Sequence, residues 1–142
     1  MIKAVIIGFS HMHVNEVALY ISNQPDFELV GAADAKSDVE EITPLRYTPG
    51  WNLQNVRKNY CANIYDDYKE MLADKDIDAV LVCSSTDTHA DISIEAAKAG
   101  KHVFCEKPVD LTPEKVQAVI DAVAEAGVKL QVGFNRRFDH NF

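Results

Sequence analysis

Nothing in this chain forms a basic stripe. Fourteen Lys and Arg stand against 22 Asp and Glu, for a net charge of −8 and a pI of about 5.0. Nucleic acid is therefore not an expected partner. An acidic surface still admits a phosphate-bearing small molecule, because helix N-termini and backbone amides hold phosphates without a basic residue. Long apolar runs are missing as well. No stretch reaches the length of a membrane span, so no membrane partner is expected. The opening Met1-Ile2-Lys3-Ala4-Val5-Ile6-Ile7-Gly8 is too short an apolar run for a signal peptide. Cysteine is scarce: Cys61, Cys83 and Cys105 recur at intervals of 22 residues, which fits neither a zinc motif nor a disulfide framework. Cys83 and Cys105 fall in apolar strand patterns and read as buried small hydrophobes. A reducing cytoplasm is the simplest setting. Internal repeats and low-complexity tracts are also lacking.

What is present is ordinary globular composition, 47% hydrophobic and 25% charged over 142 residues, enough for one domain with a sizeable core. The pattern alternates strand and helix. Ala4 to Ile7 is a short β-branched run, the mark of a strand buried on both faces. Val14, Val17, Ala18 and Ile21 then lie on one helical face. Phe27 to Ala33 reads as a second strand ending at Asp34, and Ala62 to Tyr65 as a short third. Asp66 is a plausible N-cap for a helix through Met71 and Leu72. Asp78 to Cys83 is the cleanest strand and leads into the polar loop Ser84-Ser85-Thr86-Asp87-Thr88. A helix from about His89 to Ala99 stops at Gly100. His102 to Cys105 is the next strand. Thr112 and Pro113 open a helix with Val116, Val119, Ile120 and Val123 on one face. Gly127 ends it, and Lys129 to Phe134 is the last strand. Such alternation predicts an α/β fold of Rossmann type: a doubly wound parallel sheet in a three-layer α/β/α arrangement. Residues 35–61, with a run of acidic residues and Pro44 and Pro49, read as an ordered insertion or a flap.

The first strand ends in Gly8-Phe9-Ser10-His11-Met12-His13. The dinucleotide fingerprint is G-x-G-x-x-G or its alanine variant, and only the first glycine survives here. Gly8 can make the tight turn, and Ser10 is small enough to let backbone approach a pyrophosphate. His13 replaces the small residue that permits close helix–strand packing. Asp34 strengthens the motif, since it closes the second strand where an acidic residue receives ribose hydroxyls. A carboxylate there repels a 2′-phosphate, so NAD is favoured over NADP, although nearby Lys36 weakens the preference. His11 and His13 could share a metal ion. In a helix's first turn they would point apart, and no Cys or carboxylate partner is evident, so no metal is expected. The commoner outcome is one histidine packing and one near phosphate or solvent. At the end of the fifth strand stand Glu106-Lys107-Pro108. A lysine held beside a carboxylate in a cleft can position a substrate hydroxyl and help move its proton.

The stretch Val80-Leu81-Val82-Cys83-Ser84-Ser85-Thr86-Asp87-Thr88-His89 continues through Ala96-Ala97-Lys98-Ala99-Gly100-Lys101-His102-Val103 to Glu106-Lys107-Pro108 and on to Gly133-Phe134-Asn135-Arg136-Arg137-Phe138-Asp139. Over this half the chain resembles the glucose–fructose oxidoreductase / inositol dehydrogenase / MocA-like family, the last segment looking most like inositol 2-dehydrogenases. The resemblance implies roles. Ser84, Ser85, Thr86 and His89 would line the loop over the cofactor's ribose and pyrophosphate, joining Gly8, Ser10, His11, Met12, His13 and Asp34 as cofactor contacts. Glu106 would sit near the nicotinamide and Lys107 would be the catalytic lysine. Pro108 would fix the turn, commonly after a strained or cis peptide bond. Arg136 lies where the family runs towards its substrate domain. The first half, with Gly-x-Ser-x-x-His and Arg46 to Leu53, looks like another branch of the family.

The expected cofactor is NAD, and the expected activity of the parent protein is hydride transfer between a polyol or sugar-like secondary alcohol and nicotinamide. The family's second α+β domain has no counterpart in this sequence, so the chain is not expected to turn over alone. A non-catalytic dinucleotide-binding or regulatory module is the alternative, and a lyase or hydrolase using a tightly held cofactor is a third. An uncovered apolar patch at the sheet's carboxyl edge would favour a homo-oligomer.

Overall fold

The computed structural model describes residues 1–35, 45–61 and 63–141. Six parallel strands, β1 (Ile2–Ile7), β2 (Phe27–Ala33), β3 (Ile64–Tyr65), β4 (Ala79–Val82), β5 (His102–Cys105) and β6 (Leu130–Val132), form one sheet in the order β3-β2-β1-β4-β5-β6. Among the described residues five helices connect them: α1 (Val14–Ser22), α2 (Pro49–Asn59), α3 (Tyr68–Ala73), α4 (Thr86–Lys98) and α5 (Pro113–Ala126). A 3-10 turn, Asn135–Phe138, follows β6.

Strand β1 shows how the layers arise. Its side chains alternate between faces. Ala4 and Ile6 pack with Val14, Ala18 and Val56, the side of α1 and α2. Val5 and Ile7 pack with Met71, Ala90 and Val119, the side of α3, α4 and α5. Both sets are fully buried, so the strand from Ala4 to Ile7 is continuously apolar rather than alternating. The expected Rossmann-type three-layer architecture is what the chain adopts.

Several boundaries differ from the sequence expectation. Helix α4 begins at Thr86, so Thr86, Asp87 and Thr88 of the polar loop after β4 belong to the helix's first turn, with Ser85 as its N-cap. The cap of α3 is Asp67, whose carboxylate accepts from the Lys69 amide at 2.8 Å, and Asp66 precedes it. The last strand is shorter, Leu130–Val132. Ile120 is 48% exposed, and only Val119 of the α5 face is fully buried. The expectations for Lys36, Pro44 and Ala62 lie outside the described residues.

The insertion after β2 contains a helix that the hydrophobic pattern hides. Thr48 caps α2, its hydroxyl accepting from Trp51 N, and Pro49 occupies the first turn. The helix buries Gly50, Asn52 and Val56. Asn52 is wholly buried; its amide donates to the Phe9 carbonyl at 2.8 Å and its oxygen accepts from Asn15 at 2.7 Å. Asn55 donates in turn to Asn15 at 2.7 Å. The α1–α2 seam is thus partly an amide network that also holds the loop after β1.

Candidate active site: a crevice between β1 and β4

The chain turns one way out of β1, towards β2, and the other way out of β4, towards β5. At such a switch point the carboxyl ends of two adjacent strands open a crevice where α/β sheets bind ligands. Gly8 stands at its floor with φ +92°. A Cβ on it would lie 2.3 Å from Ser84 Cα. Glycine is needed here for both the turn and the approach of two loops. The loops are tied: His11 N–H donates to the Cys83 carbonyl at 3.0 Å, and Cys83 N–H to the Ile7 carbonyl at 2.8 Å.

The remaining predicted residues gather around this point with different exposures. Ser10 and Met12 are exposed, while His11 and His13 are half-buried. His13 is the N-cap of α1 and makes no side-chain cap bond, nor does Ser85 at the N-cap of α4. Two helix N-termini therefore face the crevice without a side-chain cap, an arrangement that suits a pyrophosphate. Asp34 closes β2, and its Oδ1 accepts from Ala35 N–H at 2.7 Å. These features fit a dinucleotide: a glycine floor, open helix ends and a strand-end carboxylate in reach of a ribose.

Ser84 and His89 are buried. The Thr88 hydroxyl donates to Ser84 Oγ at 2.8 Å, within the first turn of α4. The His89 ring lies between two carbonyl oxygens, Nδ1 2.7 Å from that of Pro108 and Nε2 2.9 Å from that of Ser84. It joins the loop after β4 to the loop after β5 and presents no surface to the crevice. The Lys107–Pro108 peptide is cis, as the resemblance implies, and Lys107 is exposed.

Glu106 is the feature whose surroundings the sequence conceals. Its side chain is buried, and His11 Nε2 lies 3.7 Å from Oε2 while His13 Nδ1 lies 3.4 Å from Oε1. The two rings stand edge to face with centroids 4.8 Å apart. The expectation that they point apart with no carboxylate partner is therefore corrected: the loop after β1 crosses the end of β4 and meets the end of β5. Burial pushes the His11 pKa below the ordinary histidine value, against the upward pull of Glu106. Gly133 brings the turn after β6 against this group, since a Cβ there would sit 3.1 Å from Glu106 Oε2. Beside it opens a mainly apolar cleft of about 880 Å³, lined among others by His13, Val17, Leu81, Phe104, Glu106 and Asn135.

Residues 2–134 match the family model of an oxidoreductase family with an NAD-binding Rossmann fold. The chain belongs to the Gfo/Idh/MocA oxidoreductase family. An inositol 2-dehydrogenase of Rhizobium meliloti is 56% identical over 122 residues, 86% of this chain and 33% of that protein. A myo-inositol 2-dehydrogenase of Thermotoga maritima is 54% identical over 78 residues, 55% of this chain and 23% of its own length. The solved structure of a putative myo-inositol dehydrogenase from Sinorhizobium meliloti superposes with a TM-score of 0.78 at 35% identity, covering 99% of this chain and 38% of that one. The 122-residue match takes in both halves of the sequence, so the likeness to inositol dehydrogenases is not confined to the second. This Gfo/Idh/MocA chain spans about a quarter to a third of the length of the curated relatives it matches. Among the described residues no helix is long and apolar enough to cross a membrane.

The residues missed from sequence are Asn15, Asn52 and Asn55. Their signal was Thr48-Pro49, the same cap and first-turn pair that marks α5 as Thr112-Pro113.

Proposed function

We propose that this chain holds NAD for an oxidoreductase that moves a hydride between a cyclic polyol and the nicotinamide. The observation that carries the proposal is the convergence of Gly8, Asp34, Ser84, Ser85 and Glu106-Lys107-Pro108 on the carboxyl ends of four neighbouring strands. The adenosine ribose binds beside Asp34, whose carboxylate favours NAD over NADP. The pyrophosphate lies over Gly8 and Ser10, against the N-termini of α1 and α4. The cofactor supplies the hydride chemistry, and the protein orients it. Lys107, exposed at the end of β5, contacts the substrate hydroxyl and assists removal of its proton, while Glu106 borders the nicotinamide. The inositol dehydrogenases among the relatives support a polyol as the substrate class.

The test pairs binding with turnover. NADH added to the chain is expected to quench Trp51 and gain fluorescence by transfer, with NADPH binding more weakly; Asp34→Ala narrows the difference. Failure of both nucleotides to bind overturns the cofactor assignment. A panel of inositols offered with NAD, to a longer protein that carries this chain together with the family's substrate domain, reads the chemistry. NADH formation that disappears in Lys107→Ala, with NADH affinity retained, supports the assigned lysine. Formation unchanged in Lys107→Ala removes Lys107 from the chemistry.

A further inference from the structure

We propose that His11, His13 and Glu106 form a binding site for a divalent transition-metal ion, with Zn²⁺ as the ion that suits it. One ligand atom from each lies within 4.8 Å of the other two. The histidines come from the loop after β1 and the carboxylate from the end of β5, so the site exists only in the folded chain.

Three observations carry the proposal. Opposite oxygens of one carboxylate face opposite histidines, at 3.7 and 3.4 Å. Both separations exceed a hydrogen bond of about 2.7–3.2 Å. They approach the spacing of roughly 3.3–3.6 Å between ligands bound tetrahedrally at about 2.0–2.2 Å from one zinc ion. The two contacts are made to different oxygens of Glu106, so a shared ion draws the three side chains together from within 4.8 Å. Glu106 is also poorly satisfied for a buried carboxylate. It is 3% exposed, and its hydrogen bond is from Lys107 N–H at 3.2 Å. A buried charge with so little compensation is costly, and a cation between the three side chains would compensate it. The ligand set, finally, is selective. Two imidazole nitrogens and one carboxylate suit zinc and its neighbours, whereas Mg²⁺ and Ca²⁺ take oxygen ligands.

Three protein ligands leave a fourth position open. His13 and Glu106 also line the apolar cleft, so that position faces a space large enough for a small molecule. His11 Nδ1 accepts from His13 N–H at 3.3 Å, which orients Nε2 towards Glu106. Metal binding moves the ring proton from Nε2 to Nδ1 and gives up this long contact. The site stands on side-chain geometry and does not depend on a dinucleotide binding beside it.

Calorimetric titration of the chain with Zn²⁺, and visible spectroscopy with Co²⁺, test the site. One ion per chain is expected, with a dissociation constant in the micromolar range or tighter. The cobalt adduct should show d–d bands of the intensity given by four or five ligands. His11→Ala, His13→Ala and Glu106→Gln should each weaken binding roughly tenfold or more, while His140→Ala, on an exposed terminal histidine, should not. Zinc should raise the melting temperature of the native chain and leave that of the double variant His11→Ala/His13→Ala unmoved. If Glu106→Gln does not fold, the two histidine variants decide. Absence of saturable binding below millimolar zinc, unchanged affinity in the double variant, or equal binding of Mg²⁺ would each overturn the site.

Discussion

Replacing Gly8 with alanine isolates the closest approach in the crevice. Two costs add. A φ of +92° places any L-residue in the left-handed region, at about 1–2 kcal/mol. The new Cβ would then stand 2.3 Å from Ser84 Cα, 2.4 Å from its Cβ and 2.5 Å from its amide nitrogen. None of these atoms is the end of a flexible side chain. Ordinary contact begins near 3.4 Å, so the loops after β1 and β4 must part by about 1 Å. That movement strains the His11–Cys83 and Cys83–Ile7 backbone bonds. Overpacking of this kind costs about 1–3 kcal/mol and sometimes more, giving a total of roughly 2–5 kcal/mol. Gly127 is the internal control. Its φ is +67° and a Cβ there meets nothing within 4 Å, so Gly127→Ala bears the conformational cost alone. Thermal unfolding should show a fall on the order of 10–20 °C for Gly8→Ala and about 5 °C for Gly127→Ala. Equal losses in the two variants would refute the close contact between Gly8 and Ser84.

Two further perturbations follow from buried groups. His89→Ala removes the ring held between the Ser84 and Pro108 carbonyls and leaves a cavity, so chemical denaturation should register a loss of about 3–5 kcal/mol; a loss below 1 kcal/mol would show that the ring does not join the loops. All three cysteines are buried, and burial raises the Cys105 thiol from an ordinary value of 9.0 to about 11. A thiol with a raised folded pKa is held neutral by the fold. Its contribution to stability is complete below pH 9 and is lost as pH rises towards 11. Thiol reagent at pH 8 should therefore find none of the three until denaturant is added, and a melting temperature that does not decline above pH 9 would contradict the shift.

How far the sequence foretold the structure depended on what kind of contact each element makes. The strands were legible because β1 and β4 are buried on both faces and so read as continuous β-branched runs. The strand-end residues of the crevice followed from strand order, since Gly8, Asp34, Ser84 and Glu106 each lie within two residues of a strand's carboxyl end. Helix α2 was not legible by periodicity. It meets α1 through Asn52, Asn15 and Asn55, and an amide seam carries no apolar repeat. The α5 face was read too wide. That helix packs on α4 at the margin of the sheet, and a narrow contact leaves Ile120 in solvent. The meeting of His11 and His13 with Glu106 lay beyond local reasoning altogether. It depends on a loop from β1 crossing the end of β4 to reach β5, a relation set by topology over more than ninety residues of sequence.

An amide-resolved NMR titration with NADH tests the central claim most directly, because it reads both binding and place. The account predicts saturable shifts concentrated at residues 8–13, 34, 84–86 and 106–107, with the far ends of the strands, near Ile2 and Asp78, unmoved. Absence of shifts at millimolar NADH, or shifts centred away from the crevice between β1 and β4, would contradict it.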